Sequence, residues 1–217
     1  MERVLLGDDK KGSPKPRSLR RDDHFIIHLL RAFAEVDSSS DTLQVISSLA
    51  RCAPPKRLAV SPEARLRFFV EAYLGEVYIL SLRCDALLKF IERAYRKDSR
   101  AHQVSSACAT LRTQMAASFK PMLAARGAHV HEFRHDDFDV SRLGTLNLLA
   151  STEPLIALFH RKALRDVRRN KLQWIRDNNH AVAELLDRFF ARLFPLVFAD
   201  DGSPKYPTPM RAGERIE

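Results

Sequence analysis

Glycine is scarce in this chain, at seven of 217 residues. Few positions therefore demand a left-handed backbone, which suits long helices joined by a handful of turns. No apolar run approaches the roughly 20 residues that cross a bilayer, and no apolar–polar alternation long enough for a sheet occurs. The stretch Met1–Lys10 has only a three-residue apolar patch before it turns charged, too little for a secretory signal. Cysteine is limited to Cys52, Cys84 and Cys108. These are isolated, odd in number and set within helical patterns, as expected of reduced, buried thiols in a cytoplasmic protein.

What is present is apolar and basic. Hydrophobic residues make up 45% and charged residues 29%, enough for a packed core in one domain, and the net charge is +9. That charge favours acidic partners, nucleic acid foremost, although solubility alone would also account for it. Residues 1–20 lack an apolar period and are rich in Lys, Arg and Pro, the pattern of a mobile basic N-terminal arm. Residues 21–200 read as a single helical bundle and 201–217 as an extended tail.

Within the bundle region, Phe25 to Phe33 carry a helical apolar period. Ser38–Ser40 are expected to break it, and a short helix with Leu43, Ile46 and Leu49 inward follows. Ser61-Pro62-Glu63 is a strong helix start: a hydroxyl cap, proline in the first turn and an acid at the positive end of the dipole. From there Tyr73, Val77, Leu80, Cys84, Leu87, Ile91 and Ala94 alternate four and three apart, predicting a helix to about Arg96. Gly75 inside it costs about 1 kcal/mol, which close approach of another backbone would explain. A third helix from Ser99 places Val104, Cys108, Leu111, Met115 and Phe119 on one face, with Pro121 disturbing its last turns. A helix carrying Leu143, Leu146 and Leu149 comes next. Thr152-Glu153-Pro154 then opens a final helix to about Phe194, loosening at Asn178-Asn179. The fold class is all-α: an up-and-down bundle of long antiparallel helices.

Two stretches could carry chemistry. The first lies between Arg161 and Arg176, where seven Lys or Arg accompany one acid, Asp166. Arg161, Lys162, Arg165, Arg168, Arg169 and Arg176 fall within about a 120° arc. Leu164, Val167, Trp174 and Ile175 lie opposite, and Leu172 is the apolar exception. Six like charges on one arc repel unless something anionic lies across them, so the face is either solvated or binds phosphate. Phosphate contacts of this kind give affinity without sequence preference.

The second stretch is Arg126-Gly-Ala-His-Val-His131-Glu132, placed by the pattern in a turn between two helical regions. His129, His131 and His135 resemble the His-x-His-x-Asp-His run of metallo-hydrolases. Phe133 and Arg134 stand where that pattern wants Asp and His, and those enzymes are built on sheets. No metal or other cofactor is therefore expected. An arginine and a histidine at this spacing can instead serve RNA cleavage without metal. Imidazole titrates near neutrality and can move the proton of a ribose 2′-hydroxyl. A guanidinium can hold the phosphate as charge builds on it.

With a helical bundle around it, Arg-x4-His resembles the HEPN superfamily (higher eukaryotes and prokaryotes nucleotide-binding). The similarity covers roughly residues 62–194. The superfamily contains many metal-independent ribonucleases of toxin–antitoxin, phage-defence and RNA-processing systems. The resemblance implies Arg126 and His131 as the catalytic pair, with His129 and Glu132 accessory. It also implies RNA cut by 2′-hydroxyl attack, a homodimer, and an antitoxin or regulatory protein among the partners. Gly127 stands where the family usually has a polar residue, often Asn, and a non-catalytic HEPN-like dimer that binds nucleic acid or a partner protein is the alternative. Arg-x4–6-His also occurs at Arg17–His24, Arg21–His28 and Arg96–His102, so position, not spacing, singles out Arg126–His131.

Overall fold

The computed structural model describes residues 21–53, 60–131 and 138–208, with the helix backbone alone at 21, 125–131 and 138–141. The basic arm proposed for residues 1–20 lies outside the described residues. Five helices follow in order: α1 (Arg21–Arg51), α2 (Pro62–Tyr95), α3 (Ala101–His131), α4 (Phe138–Ala150) and α5 (Pro154–Val197). The fold is an all-α bundle, and no named strand occurs among the described residues; one isolated bridge, Phe198 to Pro204, folds the chain back after α5. Among those residues no helix is long and apolar enough to cross a membrane.

α2 is the central helix and packs on all four others. Its start is as the sequence predicts: the Ala64 N–H donates to Ser61 Oγ at 3.1 Å, with Pro62 in the first turn. Its seam from Tyr73 to Ile91 is fully buried. α1 runs antiparallel to it, since Phe25 meets Phe90 and Tyr95 at one end while Arg65 donates to the Leu49 and Cys52 carbonyls at the other. On α3, Val104, Cys108, Leu111, Met115 and Phe119 all face the core.

Several local expectations give way to tertiary contacts. The serines do not break α1. Ser39 is buried, and its hydroxyl accepts from Arg83 Nη1 at 2.6 Å. Arg83 also donates to the Glu35 carbonyl and pairs with the Glu35 carboxylate at 3.0 Å, so α2 clamps the helix where local preference would end it. Leu49 is 50% exposed rather than inward, because Ser47 and Ala50 take the buried positions. At Asn178-Asn179, α5 stays continuous: Asn178 donates to the Trp174 carbonyl at 2.8 Å and Asn179 to the Leu43 carbonyl at 3.3 Å. Nothing approaches Gly75, where an added Cβ would meet no atom within 4 Å. Cys84 and Cys108 are buried, burial pushing the Cys84 thiol up to about 12, but Cys52 is exposed.

α5 is long, about 66 Å at 1.5 Å per residue, and its two halves differ. From Ile175 onward it buries Val182, Leu185, Leu186, Phe189, Leu193 and Val197 in the core. Before Ile175 only His160 is buried, and this half pairs with α4. The basic arc of the sequence therefore sits on the half of α5 that the core leaves uncovered.

Candidate phosphate-binding groove

The four arginines Arg165, Arg168, Arg169 and Arg176 line one open groove of about 420 Å³, together with Leu172 and Gln173. Leu172, the apolar exception on the basic arc, thus lines the groove and is not a buried core residue. The fold adds a fifth arginine: Arg51, from the last turn of α1, faces the same groove. Its Nε donates to the Ser47 carbonyl at 3.2 Å, which fixes the side chain along its own helix. No carboxylate lines the groove among the described residues. Asp166 reaches Arg169 at 3.2 Å, an exposed pair that contributes little, and Asp177 is engaged by Gln173 at 2.7 Å.

The other two basic residues lie elsewhere. Arg161 folds back to donate to the Ala157 carbonyl at 3.3 Å. Lys162 lines a separate hollow between α4 and α5 with Arg142 and Asp166. The predicted six-residue face is therefore a cluster of four, completed by a residue from another helix.

A second hollow of about 260 Å³ adjoins the groove, and Arg165 and Arg168 border both. Its walls are mainly apolar, formed by Leu66, Phe69 and Leu164 among others. Arg65 stands at its edge with its guanidinium 5.3 Å from the centroid of the Phe69 ring. Sequence reasoning missed Arg51, Arg65 and Phe69 for one reason. They lie on helices far away in the chain, and no spacing links them to residues 165–176.

The histidine stretch lies differently from the expectation. Residues 126–131 form the last turns of α3, which runs on past Pro121, and not a turn after it. The core contacts of Phe119 and Met122 hold the helix, while Pro121 itself is exposed, so the missing N–H falls on the solvent side. Positions Arg126 and His131, five apart on a helix, are about 140° apart around its axis. The side chains of Arg126, His129 and His131 lie outside the described residues, as do Glu132 and His135 entirely. Among the described residues no group of three or more His, Cys, Asp or Glu could hold a metal ion.

One further ionisable pair is buried. His160 Nε2 lies 2.7 Å from Glu63 Oε1, joining the second turn of α5 to the first turn of α2. The other oxygen, Glu63 Oε2, has no partner. Comparison with family models, curated proteins and solved structures found no match to this chain.

Proposed function

We propose that the chain binds the phosphate backbone of RNA along the arginine groove of α1 and α5. What supports this is the convergence of Arg51, Arg165, Arg168, Arg169 and Arg176 from two helices on one open surface, with no lining carboxylate among the described residues. Guanidinium groups match phosphate oxygens in geometry as well as charge. Five such contacts on a single strand would give a log–log salt slope of about −3.5, at roughly 0.7 per contact. Fluorescence anisotropy of a labelled single-stranded dodecamer between 50 mM and 500 mM salt measures that slope. A slope near zero would remove the proposal.

A metal-independent endoribonuclease is the catalytic form of the same reading. His131 would take the 2′-hydroxyl proton and Arg126 would steady the scissile phosphate. It expects cleavage of single-stranded RNA in EDTA with cyclic phosphate ends, and loss of cleavage in His131→Ala. Cutting that persists unchanged in the variant would exclude His131 from the chemistry.

For the outer face of α2 we propose a second copy of the chain. Phe68, Ala72, Gly75, Ile79, Leu82 and Ala86 alternate four and three apart, and Phe68, Ile79 and Leu82 stand 63%, 41% and 50% exposed. In an antiparallel pair centred on residue 77, Phe68 would meet Ala86 of the partner copy. Ala72 would meet Leu82, and Gly75 would meet Ile79. Every layer then sets a large side chain against a small one, as a two-fold requires of a self-complementary seam. Gly75→Arg separates folding from assembly. It should raise the protomer's stability by about half to 1 kcal/mol through helix propensity, since nothing crowds its Cβ. It should also abolish the dimer in light scattering. A dimer unaffected by the arginine would place the interface elsewhere.

A further inference from the structure

We propose that the apolar hollow beside the arginine groove is a nucleobase pocket, making the chain selective for single strands over duplexes. The inference rests on the phosphate-binding reading above and adds what lies next to the phosphate. Two observations carry it. Arg165 and Arg168 border both hollows, so a phosphate held by them has its neighbouring sugar and base at the mouth of the second. That second hollow is mainly apolar, with Leu66, Phe69 and Leu164 in its wall and charge only from Arg65, Arg165 and Arg168, and so offers a ring face that the groove does not.

Size narrows the occupant. At about 260 Å³ the hollow is smaller than the roughly 300 Å³ at which pockets begin to hold drug-sized ligands. It suits a single ring system better than a long acyl chain. Two planar surfaces meet there. Phe69 supplies an aromatic ring, and Arg65 supplies a guanidinium whose Nη2 is tied to the Leu49 and Cys52 carbonyls at 2.9 and 2.8 Å. A guanidinium held by two carbonyls keeps its plane fixed, and bases stack on arginine planes as well as on aromatic rings. In a duplex the base faces are covered by their neighbours, so only an unpaired base can enter. Among the described residues the lining has no polar side chain other than arginine, so the pocket accepts any base that stacks, and selectivity is for strandedness and not sequence.

The test uses the full chain with a fluorescent single-stranded 2′-O-methyl RNA dodecamer, which has no free 2′-hydroxyl to attack its phosphates, displaced by adenosine monophosphate or by ribose 5-phosphate. Both competitors carry one phosphate; only one carries a base. Loss of a stacked base costs roughly 5- to 150-fold in affinity, so the nucleotide should compete at least 5-fold better. Phe69→Ala should narrow that ratio while leaving affinity for an abasic dodecamer unchanged. Should the variant fail to fold, the competitor ratio on the unaltered chain still decides. Equal competition by the two, or a duplex bound as tightly as the single strand, overturns the base pocket while the phosphate groove stands. Absence of salt-dependent binding to both the RNA and the abasic strand overturns the groove itself.

Discussion

Arg165→Glu/Arg168→Glu should weaken single-stranded RNA binding at least about 14-fold at 0.15 M salt. The change removes two of the five phosphate contacts, and at roughly 0.7 per contact the log–log salt slope falls by about 1.4. Between 1 M and 0.15 M salt that slope difference amounts to about 1.15 decades. The loss should shrink toward nothing as salt approaches 1 M, a signature that a folding defect would not produce. The control is Arg161→Glu/Lys162→Glu, which makes the same change in net charge on the same helix. Arg161 is turned to the Ala157 carbonyl and Lys162 lies in the hollow shared with α4, so neither borders the groove. With a Debye length of about 8 Å at physiological ionic strength, their effect should stay well below that loss. Equal losses in the two variants would mean that overall charge, not the groove, attracts the RNA.

The bundle was legible in the sequence where burial follows local periodicity. The seam of α2 and the inner face of α3 are one-dimensional patterns, and Ser61-Pro62-Glu63 is a local signal whose hydrogen bond forms within one turn. The misplaced boundaries have a common cause. Ser38–Ser40, Asn178-Asn179 and Pro121 carry local signals for a break, and each is overridden by a contact or exposure that depends on another helix or on the solvent side. Four of the six groove candidates were legible because one helix carries them on one arc. Arg51 was not, since its place beside α5 depends on how α1 is laid against the bundle. The same holds for Phe69 and Arg65, whose meaning comes from Arg165 and Arg168 next door.

The largest stability effect should come from Glu63. Glu63 is only 4% exposed and its partner His160 only 8%, so neither group has water to replace the other. Removing one member of such a pair typically costs about 3–5 kcal/mol, because the survivor stays buried without its partner. For Glu63→Ala we expect at least about 3 kcal/mol, since the substitution removes the His160 contact and also an acid that the dipole favours in the first turn of α2. In a domain of this size that lowers Tm by roughly 6–12 °C. Glu63→Leu/His160→Leu should recover most of the loss. The unpartnered Glu63 Oε2 shows that the pair is incompletely satisfied, and apolar replacement of both members then removes a desolvation cost along with the hydrogen bond. The double-mutant cycle isolates the coupling between the two. His160 is the only buried residue of α5 before Ile175, so with the partly buried Trp174 the pair ties the arginine-bearing half of α5 to the core. Amide exchange over residues 154–174 should therefore quicken in Glu63→Ala more than over residues 175–197. Uniform acceleration across both halves would mean that the pair stabilises the whole bundle rather than fastening the groove to it.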